Sequence, residues 1–159
     1  MSDFEPRNNL ILVRHGESTH DQHREDELSE FGKGEIKDLI LQLENFIDQP
    51  VICTSPRLRA IHSAHFFEVR YNTTFKPIEE LNVDTWNNKQ KAIIIGGIKF
   101  YQDQRVNLII VSHEPVILDI LRTITGKTKK ETSTGSAFVI DQTTNKVLYV
   151  KGHARVEIK

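Results

Sequence analysis

Apolar and polar positions along this chain change period from block to block, and the changes mark the elements. Leu10 to Val13 is an unbroken apolar run set between polar residues and Gly16, the pattern of a strand buried on both faces of a parallel sheet. Val51-Ile52-Cys53 and Asn107 to Val111 have the same character. Between the first two runs, Ile36, Leu39, Ile40, Leu43, Phe46 and Ile47 recur at helical spacing, with Lys37, Asp38, Gln42 and Glu44 on the other side. That spacing predicts an amphipathic helix opening after Leu28-Ser29 and closing at Asp48-Gln49-Pro50. Ile61, Ala64, His65 and Phe67 fall near one side of a second helix.

Phe75 to Ile78 fits a short edge strand, since Pro77 lacks a ladder donor. Lys89 to Tyr101 is ambiguous by pattern. Ile93-Ile94-Ile95 favours a strand, while Gly96-Gly97 weakens a helix by about 1 kcal/mol per glycine. Val116, Ile117, Ile120, Leu121 and Ile124 mark a helix that begins at Pro115, where the missing donor costs nothing, and ends at Gly126. Ser136 to Ile140 and Val147 to Val150 predict a terminal hairpin. Strands alternating with helices give an α/β fold, a three-layer sandwich with a mostly parallel central sheet, helices on both faces and an antiparallel edge. Residues 1–159 are expected to form a single domain.

Composition narrows the function. A chain of 159 residues buries a sizeable core without disulfides or a structural metal. Its formal net charge of -1 gives no broad attraction for nucleic acid or an anionic membrane, so positive potential has to be local to a pocket. The opening Met1 to Arg7 lacks the pattern of a signal peptide and no apolar run has the length of a membrane span, which points to a cytoplasmic protein. Cys53, the single cysteine, sits in an apolar strand and fits an inert thiol. His62 and His65 fit surface or packing positions, and Lys127 to Glu131 a solvated charge run.

In open α/β sheets ligands gather where the strands end. The first run delivers Arg14 and His15 there, the second Arg57 and Arg59 within Thr54-Ser-Pro-Arg-Leu-Arg-Ala60, and the third His113. Arg14-His15-Gly16 alone would fit an ordinary surface turn. Arginines and histidines at three strand ends instead make a pocket for an anion with a nucleophile in it. His20 and His23, in the charged loop from Thr19 to Glu27, lack partners at matched spacing, so no metal site is assigned to them and the loop is expected to wall the pocket.

Three stretches, Arg14-His15-Gly16-Glu17-Ser18, Ser55-Pro56-Arg57-Leu58-Arg59-Ala60 and Ser112-His113-Glu114-Pro115, resemble in identity and order the histidine phosphatase superfamily, the group that includes phosphoglycerate mutases and acid phosphatases. The shortness of the chain, Leu28-Ser-Glu-Phe-Gly32 and Ser112-His-Glu-Pro-Val116 are most similar to its small, lid-less branch, which includes protein phosphohistidine phosphatases. The resemblance implies a helix over the ambiguous segment at 89–101. It also implies that His15 is the nucleophile that becomes phosphorylated and that Arg14, Arg59 and His113 bind the phosphoryl oxygens. Arg57 is then a rim residue, and the catalytic acid is Glu80, with Glu79 and Asp84 as competitors. Asp21 stands where many members carry asparagine, which disfavours a direct binding role for it.

Arginine charges near His15 are expected to lower its pKa and keep it neutral. The implied activity is a phosphatase working through a phosphohistidine intermediate without metal or cofactor. Its substrate would be a phosphorylated protein, namely protein phosphohistidine, or a small phosphorylated molecule. A mutase and a catalytically silent phosphate-binding module are the alternatives.

Overall fold

The computed structural model describes residues 8–19 and 27–159. In chain order the elements are β1 (Asn9–Arg14), α1 (Glu30–Leu43), β2 (Val51–Thr54), α2 (Leu58–Tyr71), β3 (Phe75–Pro77), α3 (Asn88–Asp103), β4 (Leu108–Ser112), α4 (Glu114–Thr125), β5 (Ala137–Asp141), β6 (Lys146–Lys151) and β7 (Ala154–Ile158). Short 3-10 turns occupy Glu44–Phe46, Glu79–Leu81 and Val83–Thr85. The strands form one sheet in the order β3-β2-β4-β1-β5-β6-β7. Pairing is parallel from β3 to β1 and antiparallel from β1 to β7.

The unbroken apolar runs are explained by two cores, one on each face of this sheet. Ile11, Val13, Ile109, Val111 and Val139 point to the side covered by α1 and α2, where Ile36, Leu39, Ala64 and Phe67 are buried. Leu10, Leu12, Ile110, Phe138 and Ile140 point to the side covered by α3 and α4, against Ile94, Ile98, Ile117 and Leu121. Successive strand side chains alternate faces, so a strand covered on both sides has no polar positions to show. The structure therefore has the expected α/β architecture with helices on both faces.

The helix implied over 89–101 is present, and two other local readings change. Residues 89–101 are helical: Ile94 and Ile98, four apart, go to the core while Ile93 stays exposed, so one helical stripe accounts for the isoleucine run. The terminal hairpin is extended by β7, which pairs with β6 from Val147 to Lys151 and makes the antiparallel part three strands wide. Nearly every residue of β7 is exposed, so backbone pairing and not an apolar face holds it. His65 also departs from the side assigned to it, lying exposed with Nδ1 3.4 Å from Glu68. Among the described residues no helix is long and apolar enough to cross a membrane.

The topology sets the site. β4 lies between β1 and β2, so the C-terminal ends of all three are adjacent, with Arg14 opposite Ser112 and Thr54 opposite Val111. Each ladder runs one residue further: His15 N–H donates to Ser112 O at 3.1 Å and Ser55 N–H to Val111 O at 2.9 Å. The turn after β1 is clamped to the first turn of α1, which Ser29 caps by accepting from Gly32 N–H at 3.0 Å. A Cβ on Gly32 would stand 2.2 Å from Glu17 O, and one on Gly16 would stand 2.6 Å from Gly32 O. Only glycine permits that backbone contact.

Candidate active site

His15 ends β1 and is 7% exposed. Its Nδ1 lies 2.7 Å from Gly16 O. A carbonyl can only accept, so the proton is on Nδ1 and the Nε2 lone pair is left facing the site. Arg59 Nε donates to that Nε2 at 3.2 Å, and Arg59 Nη2 lies 3.4 Å from His113 Nδ1. Because guanidinium only donates, His113 accepts at Nδ1 and its Nε2–H is given to Ser55 Oγ at 2.8 Å. The two imidazole rings meet edge to face with centroids 5.0 Å apart.

Arg14 enters from β1. Its Nη1 donates to Thr132 O and lies 3.2 Å from Glu114 Oε2. Glu114 Oε1 in turn accepts from Thr132 N–H at 3.0 Å, so one carboxylate holds both the guanidinium and the loop beside it. Arg14 Nε is buried with no hydrogen-bond partner among the described residues. Among the described residues nothing accepts from it, which leaves that donor for a bound anion. Arg14, His15, Arg59 and His113, selected from three separate stretches, thus converge.

Burial is the chief cause of the low His15 pKa, about 4, with Arg59 and Arg14 lowering it further and the Gly16 hydrogen bond and Glu35 raising it. His113 is pushed down to about 3, again mainly by burial, then by His15 and by Arg59, Arg57 and Arg14. The arginines expected to depress His15 do so, but desolvation does more. Both rings are neutral at pH 7, so neither competes with the arginines for positive charge and His15 keeps its lone pair.

A stability prediction follows from these shifts. As pH falls below 6.5 the unfolded chain binds protons that the folded imidazoles refuse, so stability present above pH 6.5 drains away down to about pH 4 for His15 and about pH 3 for His113. The loss is at most about 3 kcal/mol from His15 and about 5 kcal/mol from His113. Denaturant melts at pH 7 and pH 4.5 should differ accordingly, and His113→Gln should lessen the difference. Equal midpoints at the two pH values would contradict this.

The other named residues lie at the edge. Arg57, which precedes α2, pairs with Asp84 at 3.1 Å and is one-third exposed, so Asp84 is engaged with a cation. The turn bearing Glu79 and Glu80 is tied to the strand ends, with Ile78 N–H donating to Thr54 O at 2.8 Å and Ser112 Oγ to Leu81 O at 3.2 Å. Glu79 is exposed and Glu80 half-buried, and the Glu80 carboxylate makes no hydrogen bond or ion pair among the described residues. His20, Asp21 and His23 lie outside the described residues, as does most of the loop expected to wall the pocket. Among the described residues no group of three or more histidine, cysteine or carboxylate side chains is placed to hold a metal ion. Cys53 is partly buried, and burial pushes its thiol pKa up, away from the reactive thiolate.

Ser55, Ser63 and Glu114 support the site without having been singled out from the sequence. Ser63 Oγ accepts from Gly16 N–H at 3.0 Å and donates to Arg59 O at 2.9 Å, joining the turn after β1 to α2. Ser55 and Glu114 lie within the motifs themselves, whereas Ser63 stands one helical turn after Arg59 and carries no local signal.

Known proteins share this fold. The family model for the histidine phosphatase superfamily (branch 1) matches residues 10–95, more than half of the chain. No curated protein sequence matches the chain. Among solved structures, the protein histidine phosphatase SixA complexed with tungstate is similar with a TM-score of 0.71 at 15% identity, covering 94% of this chain and 96% of that one. The alpha-ribazole phosphatase from Shigella flexneri gives a TM-score of 0.67 at 19% identity over 84% of this chain and 90% of that one. A mycobacterial glucosyl-3-phosphoglycerate phosphatase gives 0.65 at 12% identity, covering 83% and 92%. At such identities the likeness is one of fold.

Proposed function

The chain belongs to the histidine phosphatase superfamily, branch 1, and from that premise we propose that it is a metal-independent phosphatase acting on protein phosphohistidine through a phosphorylated His15. His15 Nε2 attacks phosphorus in line, the bond to the leaving nitrogen breaks, and water then releases phosphate from His15. Arg14 Nε, without a partner among the described residues, and the Arg59 fork are the donors for the equatorial oxygens. On phosphate binding Arg59 turns its N–H groups from the two imidazoles to the phosphoryl group. His113 then faces a dianion, which favours a proton on its ring. Glu80 assists the leaving group from the turn beside β2 and β4. An imidazole leaving from phosphohistidine needs less acid help than an alkoxide. The guanidinium groups supply the positive charge a metal would bring, so chelators should leave the rate intact.

The observation that carries the substrate class is the use made of residues 88–103. That stretch is a single helix lying on the sheet, with Ile94 and Ile98 in the core, so it is spent on covering the fold and not on a cap over the site. Enzymes that enclose small metabolites usually do so with lids or insertions. A pocket that no described residue caps admits a side chain presented by a folded protein. The similarity to SixA over nearly the whole of both chains supports the same reading. The likeness to alpha-ribazole phosphatase favours a small phosphomonoester as the second reading.

The deciding comparison is kcat/KM for a phosphorylated histidine-phosphotransfer domain against a panel of sugar and nucleotide phosphates. The phosphoprotein should lead by about tenfold or more, each tenfold reflecting ~1.4 kcal/mol of transition-state binding. A metabolite preferred by several tens-fold over every phosphoprotein tested would overturn the substrate assignment.

A further inference from the structure

One buried carboxylate lies outside the phosphoryl pocket yet is built into the nucleophile turn. Glu35, in the second turn of α1, has a side chain only 8% exposed. Its Oε1 accepts from Glu17 N–H at 2.9 Å, and the Thr134 hydroxyl lies 2.9 Å and 3.0 Å from its two oxygens. Lys151 Nζ, from β6, donates to Oε2 at 2.6 Å and to Thr134 O at 2.7 Å. Burying a carboxylate costs several kcal/mol in desolvation, and Lys151 is one-third exposed, so stability alone is a weak reason to place a glutamate here.

The bond partners suggest a different reason. Glu17 N–H and Gly16 C=O belong to one planar peptide group, and that carbonyl accepts the Nδ1–H of His15 at 2.7 Å. Carboxylate, peptide and imidazole therefore form a continuous relay from Glu35 Oε1 to His15 Nδ1. An amide that donates its N–H to an anion gains electron density on its oxygen and becomes a stronger acceptor. The neighbouring loop fixes the same turn from its other side, with Gly135 N–H donating to His15 O at 2.9 Å. Gly135 has φ 64°, and a Cβ there would stand 2.6 Å from Glu35 Cβ, so the loop is shaped to fit against this glutamate.

We propose that Glu35 is a positioning residue that acts on His15 through the Gly16–Glu17 peptide, holding the Nδ1–H tautomer and stabilising the positive ring formed when Nε2 takes the phosphoryl group. The inference rests on the reading of His15 as nucleophile. In that step the Nε2–P bond forms, the bond from phosphorus to the leaving group breaks, and the Nδ1 proton stays in place. The ring is then cationic until water removes the phosphoryl group. The charged and titratable groups facing His15 are Arg14 from β1, Arg59 from α2, His113 after β4 and Glu35 from α1. Among the two arginines and Glu35, only Glu35 favours positive charge on the ring, and Lys151 partly neutralises it.

The test uses the full chain with Glu35→Gln and Lys151→Gln, read by the His15 Nδ1–H proton resonance at pH 7 and by steady-state kinetics. Both substitutions break the same ion pair, so a glutamate that merely braced the loops would lower the melting temperature in both and move the ring proton alike. The relay instead requires opposite shifts. Glu35→Gln should weaken the Nδ1–H bond, moving the proton upfield, and lower kcat by about tenfold or more with KM nearly unchanged. Lys151→Gln, which leaves the carboxylate uncompensated, should move it downfield. Shifts in one direction, or none, would overturn the proposal. Should Glu35→Gln fail to fold, Lys151→Gln decides alone: a downfield shift supports the relay, and any other result refutes it. The resonance is measured without turnover, so a phosphoryl group trapped on some other residue would refute the nucleophile assignment separately.

Discussion

Replacing His15 with alanine is expected to leave a folded protein whose turnover of any phosphoryl donor is lower by at least ~10⁴-fold. The Nε2 proposed as nucleophile disappears, and among the described residues no second imidazole is placed to substitute: His113 gives Nε2–H to Ser55 and receives Arg59 at Nδ1. Folding should survive because the strand that carries His15 is held by its ladders to β4 and β5 and by a fully buried apolar run from Leu10 to Val13. The variant should also lose part of its acid sensitivity, since a buried neutral imidazole is removed. Parallel measurement of kcat and of the denaturation midpoint separates the two effects. A variant that is folded and still turns over within tenfold of the parent would refute the nucleophile.

Arg59→Ala should produce the next largest loss, a drop in kcat/KM of roughly 10²- to 10⁴-fold, the scale associated with removing a preorganised charged donor from a developing anion. Arg59 touches both imidazoles, at 3.2 Å and 3.4 Å, so its side chain spans the space where a phosphoryl group bonded to His15 would sit. Lysine should restore only a small part, because a point charge cannot present two donors in a fixed fork. With the cation gone the His15 pKa should rise, since Arg59 lowers it, and the acid limb of the kcat/KM profile should move to higher pH. Arg57→Ala offers the contrast. That guanidinium is paired with Asp84 at the rim, and its loss should cost far less. Equal losses for the two arginines would contradict the division between pocket and rim.

Much of this was legible in the sequence because the strongest signals are those with one physical cause. Leu10 to Val13, Leu108 to Val111 and Ala137 to Ile140 are apolar throughout because both faces of each strand are covered. Residues 93–97 carry two conflicting signals, and the conflict is settled only by which isoleucines reach the core, a tertiary fact. β7 has no apolar stripe to read, since pairing with β6 places it. At the site, the histidines and arginines stand in contiguous stretches after each strand, whereas their supports come from far away: Ser55 lies 58 residues from His113 and Glu35 lies 99 from Thr134. Such contacts depend on β4 inserting between β1 and β2 and on the loop before β5 folding back onto α1. No local pattern encodes them.

Direct capture of the intermediate is the sharpest test of the proposed chemistry. The protein is mixed with a phosphoryl donor labelled in the transferred group, quenched in alkali within the first turnover, digested and mapped. The expected result is one acid-labile, alkali-stable label on the peptide carrying Arg14-His15-Gly16, absent from His15→Ala and present when His113 is replaced. Label on any other residue, or release of phosphate with no labelled protein at any time point, would contradict it.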